Sequence, residues 1–177
     1  MHDGSGTMVT ARPALARSGL PWAGLALLAI LADQVTKLWV MNSLQLHESR
    51  VVMPMLSILR AHNPGAAFSM LAGSGGWQRW LFTGIALVVS VVILTWLRRL
   101  DGSQQRLLSV SLALILGGAL GNVIDRLRHG FVVDFVLVHW QDHYFPAFNV
   151  ADSCITVGAG LLLLDALLDS RRRKKDR

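Results

Sequence analysis

Charge is scarce in this sequence, and so are the residues on which disulfide and thiol chemistry rest. Only 16% of its 177 residues are Asp, Glu, Lys or Arg, where a water-soluble domain normally carries about a quarter. With 53% hydrophobic residues and a mean hydropathy of +0.46, that shortage excludes an ordinary soluble domain and indicates a small integral membrane protein. Cys154 is the only cysteine, so no internal disulfide framework exists. No histidine lies in an expected membrane span to activate it, and it reads as a buried packing residue. A Gly-x-Ser-x-Gly elbow, a phosphate-binding loop and a His-Glu-x-x-His pair are all missing. His139, Asp142 and His143 in HWQDH have a spacing a metal could use but lack an outlying further ligand, so neither metal nor cofactor is expected.

What is present is a set of long apolar runs. Those at 20–41, 80–97, 107–124 and 148–168 approach the roughly 20 residues that cross a hydrocarbon core of about 30 Å. Arg12 and Arg17 precede the first run, Arg98, Arg99 and Arg106 fill the short second link, and RRRKKDR closes the chain. With four spans these groups share one face, which the positive-inside rule makes cytoplasmic. The net charge of +6 is therefore topological, and no nucleic-acid partner is expected. The first run leads into DQVTK rather than a small-residue cleavage site, which marks an uncleaved anchor. The expected organisation is a flexible cytoplasmic leader at 1–19, one membrane domain at 20–168 and a basic cytoplasmic tail at 169–177.

The longer links, 42–79 and 125–147, fall outside. Within them RVVMPMLSILRAHN and GFVVDFVLVHW read as strands or membrane-grazing segments, and Pro54 argues against a central strand at its own position. Trp39, Trp77, Trp80 and Trp140 recur near the outer boundaries and Trp96 near an inner one, as an interfacial belt does. In the third run Gly117 and Gly121, and likewise Gly118 and Asn122, are four apart, a spacing that lets helix backbones approach closely. Gly158 and Gly160 are expected to do the same in the fourth.

The polar residues inside this apolar frame carry the functional signal, because ionisable groups in spans are costly. Asp33 and Lys37 are four apart on one helix face, placed to brace the bundle or orient other polar groups. An Asn-x-x-Asp pattern occurs twice, as Asn122 and Asp125 in GNVIDR and as Asn149 and Asp152 in FNVADS, at span ends that meet the same side. Asp125 is followed at once by Arg126, which favours an ionised, architectural role with that arginine as partner. Asp134 sits among Val132, Val133, Phe135 and Val136 with no cation near, which favours a raised pKa. Asp152, between Ala151 and Ser153, also lacks a cation, although a helix N-terminus favours its carboxylate form. Two such carboxylates sharing a proton can act as base toward a water and acid toward a carbonyl. A proton- or ion-coupled transporter and a scaffold held by ion pairs are the rival classes. The acids gather toward one face instead of tracing the membrane, which disfavours a relay.

Taken in order, DQVTK at 33–37, NPGAAF at 63–68, GGALGNVIDR at 117–126, VVDF at 132–135 and FNVAD at 148–152 resemble the bacterial lipoprotein signal peptidases, inner-membrane aspartyl proteases. The resemblance runs from about Leu20 to Asp165. It implies an all-α integral membrane protein with four transmembrane helices, a small extracytoplasmic β-cradle and a short helical flap. The activity it implies is removal of the signal peptide just before the lipidated Cys of a diacylglyceryl-modified prolipoprotein. Asp134 and Asp152 take the catalytic positions, with Asp33, Lys37, Asn63, Asn122, Asp125, Arg126 and Asn149 in support. Asn63 becomes a hydrogen-bond donor near the scissile bond, Gly65, Ala66 and Ala67 leave room for an extended peptide and its lipid, and Ala151 belongs to the second catalytic motif. The implied setting is a monomer in the bacterial inner membrane, with both termini cytoplasmic and the site near the periplasmic face. Membrane lipids and globomycin-like cyclic peptide inhibitors are the further implied partners.

Overall fold

Pro21, whose fixed φ suits a first helical turn, lies in a 3-10 turn at Leu20–Trp22 that runs directly into helix α1, Ala23–Ser43. The computed structural model describes residues 18–65 and 76–175. After α1 come strands β1 (Ser49–Met53) and β2 (Leu56–Asn63), helices α2 (Trp77–Arg99) and α3 (Arg106–His129), strands β3 (Val132–Trp140) and β4 (His143–Tyr144), and helix α4 (Val150–Lys175). Residues 66–75, with Ala66, Ala67 and any flap they form, lie outside the described residues, as does most of the expected leader.

All four helices are long and apolar enough to cross a bilayer. Several outrun their apolar runs because polar flanks continue the helix, such as Arg98 and Arg99 on α2 and Arg126, Arg128 and His129 on α3. Cations in a last turn suit the negative end of the helix dipole. Helix α3 is the centre of the bundle: 67% of its apolar window is buried, against 28, 22 and 11% for α1, α2 and α4. Its glycines explain how the neighbours come so near. A Cβ on Gly117 would stand 2.7 Å from that of Ala29 on α1, and one on Gly121 would stand 2.7 Å from the Asp33 carboxylate. On the other flank a Cβ at Gly118 would run into the Ala151 carbonyl of α4. Gly158 makes a matching close approach to Ser111 and Ile115, but Gly160, expected to share that role, has nothing within 4 Å. Two residues along a helix is about 200° of rotation, so the two glycines cannot face one neighbour. Leu31, Val35, Val88, Val91, Leu163 and Leu167 are exposed on the outside of the bundle, as a lipid-facing surface requires.

At the end away from the sheet, the Gly19 amide donates to the Leu97 carbonyl at 2.9 Å and the Trp22 indole to the Gly102 carbonyl at 3.2 Å. The start of α1 and the α2–α3 link therefore share an end. Beside them Ala26, Leu97, Leu112 and Leu116 form the main apolar core.

The opposite end carries a four-stranded antiparallel sheet in the order β1-β2-β3-β4. Pro54 lies in the β1–β2 turn beside Met55 at φ +73°, where its missing N–H removes no ladder bond. Gly130, at φ +86°, ends α3 and turns the chain into β3. Ala61 lies opposite Asp134, and Asn63 opposite Val132. Val132, Val133, Asp134 and Phe135 are all buried, so both faces of β3 are covered there and the usual alternation is lost. On the other edge Phe148 exchanges amide bonds with Val136, at 2.8 and 3.1 Å, which draws the start of α4 against β3. Val40, Leu44 and Phe135 form a second core that packs the sheet on the end of α1.

Candidate active site

The pairing of Phe148 with Val136 places Asn149 immediately before α4 and beside Asp134. The Asn149 side-chain oxygen accepts the Asp152 amide at 2.9 Å, while the Asp152 carboxylate accepts the Asn149 amide at 3.2 Å. This reciprocal cap satisfies two N–H groups that a helix start otherwise leaves orphaned. With its oxygen so engaged, the buried Asn149 presents its amide nitrogen to Asp134 Oδ1, at 2.7 Å. Asn63 repeats the device from β2. Its oxygen accepts the Gly65 amide at 2.9 Å, and its nitrogen donates to Asp134 Oδ2 at 3.0 Å. Gly65 is at φ +97°, and a Cβ there would stand 3.0 Å from the Phe82 ring, so both conformation and space call for glycine.

Asn122 of α3 is the third such amide. Its oxygen accepts from Lys37 Nζ at 3.0 Å, and its nitrogen donates to Asp152 Oδ1 at 2.8 Å. Three asparagines thus turn their N–H groups toward two carboxylates because other donors hold their oxygens. Asp134 and Asp152 each receive a donor on both oxygens.

Beneath this pair lies an ion cluster from which water is excluded. Lys37 is 1% exposed, and its three ammonium hydrogens are matched by Asn122 and by two carboxylates, Asp33 at 2.8 Å and Asp125 at 3.0 Å. Asp33 also accepts the Ala151 amide at 2.9 Å, which fixes the first turn of α4 to α1. Asp125 accepts the Val133 amide at 3.0 Å and Gln34 Nε2 at 2.9 Å. Ala151 contributes its backbone and its small size, since a larger side chain would meet α3 near Gly118 and Gly121.

The expected pairing of Asp125 with Arg126 is not found. Adjacent residues on a helix project about 100° apart, so Asp125 faces Lys37 while Arg126 turns toward α2. Its guanidinium donates back to the Asn122 carbonyl of α3 at 3.3 Å and lies 5.6 Å from the Phe82 ring centre of α2. The architectural role expected of Asp125 has a different cation, one whose proximity nothing in the local sequence signals. Gln34 joins the cluster without having been singled out by sequence reasoning, although it sits inside the DQVTK motif. The first Asn-x-x-Asp differs from the second in the same way: Asn122 and Asp125 meet at Lys37 rather than capping a helix.

Asp134 is 3% exposed. Burial, and then the negative charge of Asp152, raise its pKa to about 6, against the opposing effect of the Asn63 and Asn149 hydrogen bonds and of Lys37. A carboxyl poised there can hold or release a proton near neutrality. Cys154 is only partly buried. His139 shares a hydrogen bond with Ser57 Oγ at 3.0 Å, and His143 pairs with Trp140 in the β3–β4 hairpin. No group of three or more His, Cys, Asp or Glu among the described residues is arranged to hold a metal ion.

Two mutually influencing carboxylates, held by oriented amides where the membrane helices meet the sheet, can perform acid-base hydrolysis. Residues 25–168 match the sequence model of a family described as "Signal peptidase (SPase) II". The chain is 57% identical over 156 residues to the lipoprotein signal peptidase of Pseudomonas putida, covering 86% of this chain and 91% of that protein. It is 48% identical over 158 residues to the lipoprotein signal peptidase of Shewanella piezotolerans, covering 89% and 92% respectively. Its fold superposes with a TM-score of 0.74 and 31% identity on a solved structure titled "Bacterial membrane enzyme structure by the in meso method at 2.3 A resolution", covering 90% of this chain and 92% of that one.

Proposed function

Since the chain belongs to the signal peptidase II family, we propose that it removes the signal peptides of lipoproteins as an aspartyl endopeptidase, with Asp134 and Asp152 as its acid and base. The observation that carries this reading is the pair of carboxylates on separate elements, each oxygen met by an N–H donor, one of them titrating near 6. A water between them is deprotonated by whichever carboxylate is ionised and attacks the carbonyl before the lipidated Cys of a diacylglyceryl-modified prolipoprotein. The protonated partner donates to the developing oxyanion and then helps protonate the leaving nitrogen. Asn63, bonded to Asp134 from the end of β2, orients that carboxylate against the substrate. Lys37, Asp33 and Asp125 hold the frame and do not touch the reacting atoms.

The same reading makes the protein a monomer of the bacterial inner membrane with both termini cytoplasmic and the sheet periplasmic. It has a globomycin-like cyclic peptide as inhibitor and lipids as its surroundings, and it needs no metal. A transporter is disfavoured because the buried acids sit where the helices meet the sheet and form no track across the bundle. The test is incubation of the purified protein in detergent with a diacylglyceryl-modified prolipoprotein. Loss of the signal peptide is expected from the unsubstituted chain, with and without a chelator, and not from Asp152→Asn. Cleavage that stops with a chelator and returns with zinc would refute the two-carboxylate mechanism. For orientation, Ser49→Cys in a Cys154→Ser background should react with a membrane-impermeant thiol reagent from the periplasmic side.

A further inference from the structure

Asp152 faces two surroundings. Its carboxylate reaches into the site, and the same residue also lines a cleft of about 450 Å³ between the 145–148 segment and the first turns of α4, completed by Thr156 and Val157. The walls are apolar, with Phe145 and Phe148 in edge-to-face contact at 6.0 Å. Val157 and Phe145 are 53% and 61% exposed, so the cleft opens to the outside of the bundle where α4 begins. Thr156 lies one turn beyond Asp152 toward the membrane interior. Six hydroxyls in these helices, Thr36, Thr83, Ser90, Thr95, Ser111 and Ser153, donate to the carbonyl four residues back, whereas the buried Ser109 Oγ has no partner among the described residues. Thr156 makes no such bond, nor any other among the described residues. A hydroxyl facing hydrocarbon without a partner is costly, and a ligand acceptor in the cleft would remove that cost.

Resting on the proposed function, we infer that this cleft receives an acyl chain of the substrate's diacylglyceryl group, and that Thr156 donates a hydrogen bond to the ester carbonyl at its head. The chemistry of the substrate sets the spacing. From the scissile carbonyl the covalent path runs through the Cys nitrogen, Cα, Cβ and Sγ to the glycerol and its first ester. That ester therefore lies within one to two helical turns of the dyad, roughly 5–11 Å. Thr156 is at that separation from Asp152 along α4, next to the apolar Val157 of the same cleft. Recognition of the lipid would then be built onto the helix that carries a catalytic carboxylate. A correctly lipidated Cys would be registered against the dyad by its own ester.

Steady-state cleavage separates this from a cleft filled by ordinary bilayer lipid. The substrates are a diacylglyceryl prolipoprotein and the same peptide bearing a dialkyl ether glyceryl group, which has no ester carbonyl. Thr156→Val should raise KM for the diester by about tenfold, the worth of one hydrogen bond, with kcat within about twofold. Thr156→Ser should restore it, and Thr156→Val should leave KM for the ether unchanged. Val157→Trp, which fills the cleft from an exposed position, should raise KM for both substrates. Unchanged KM for the diester in both Thr156→Val and Val157→Trp would overturn the inference while leaving the peptidase reading intact, and so would an equal loss of kcat on both substrates. No cleavage of the diester by the unsubstituted protein would overturn the peptidase reading itself, and the inference with it.

Discussion

Replacing Asp134 with Asn separates the chemical use of that carboxyl from what it costs the fold. Burial and the neighbouring Asp152 raise it to about 6 from an ordinary 3.8. Because the folded value lies above the unfolded one, the group's favourable contribution is complete below about pH 3.8 and is lost as pH rises through about 6. Each unit is worth about 1.4 kcal/mol, so ionised Asp134 opposes folding by about 3 kcal/mol at pH 8 and by about half as much at pH 5. An asparagine cannot ionise and escapes this penalty. It also turns an N–H toward Asn63 or Asn149, both of which already donate to this position at 3.0 and 2.7 Å, and that clash costs about 1–3 kcal/mol. The net expectation at pH 8 is a variant as stable as the parent or more stable by up to about 2 kcal/mol, with no turnover at any pH. The sharper quantity is the difference between the two proteins, in which the ionisable groups that do not interact with Asp134 cancel. It should move by about 1–2 kcal/mol in the parent's favour from pH 8 to pH 5, a few degrees in Tm for a chain of this size. Thermal unfolding in detergent followed by circular dichroism, with turnover measured on the same samples, gives both numbers. Parallel stability curves for parent and variant from pH 5 to 8 would refute the buried-acid argument even if activity were lost.

Much of this arrangement is legible in the sequence because its strongest signals are covalent neighbours. Four apolar runs separated by arginines give four spans, and an aspartate inside GFVVDFVLVHW has apolar residues on either side and no cation beside it, which marks it as a desolvated carboxyl. The second Asn-x-x-Asp is legible for the same reason: a cap is a local motif, and Asn149 and Asp152 bond each other across one turn. What lies hidden are partners brought together by packing. Asp125 has Arg126 beside it in sequence and Lys37 beside it in space, and a sequence-based choice follows the nearer name. The donors that complete Asp125 and Asp33 are the backbone amides of Val133 and Ala151, which carry no side-chain signature at all. The error over Gly160 is of another kind. Residues 158 and 160 are both glycine, but helical periodicity places them on different faces, so their different surroundings follow from spacing and need no knowledge of the packing. The orientation of the three asparagine amides follows only once the Gly65, Lys37 and Asp152 donors are located, and that orientation is what aims N–H groups at both carboxylates.

Lys37→Met should cost about 3–5 kcal/mol by leaving Asp33 and Asp125 buried without their shared cation. Folded yield and Tm in detergent measure this, and a loss under about 1 kcal/mol would show that those carboxylates find other compensation. The proton shared by the proposed catalytic pair leaves Asp134 as pH rises through about 6, so kcat/KM should fall on the alkaline side of that value. The limb in kcat should lie higher, because bound substrate excludes water and disfavours the charged form. A pH–rate profile with no alkaline limb in kcat/KM would contradict the requirement for a shared proton. The final expectation concerns geometry rather than charge and compares two glycine-to-alanine changes. Gly118→Ala puts a Cβ against the Ala151 carbonyl and Ile155 of α4, with Cγ1 of Ile155 at 2.7 Å, whereas Gly160→Ala meets nothing within 4 Å. The first must push α4 off α3, at about 1–3 kcal/mol or more for an overpacked contact, and the residue it displaces is the neighbour of Asp152. Because Asp152 receives Asn122 from α3 at 2.8 Å, a shift of a few tenths of an ångström there weakens the hold on one of the two carboxylates proposed to be catalytic. Turnover should therefore fall in Gly118→Ala beyond what its lower Tm explains, while Gly160→Ala should stay within about 0.5 kcal/mol of the parent and keep its activity. Equal turnover in the two folded variants would mean that the α3–α4 approach serves packing alone and does not set the position of Asp152.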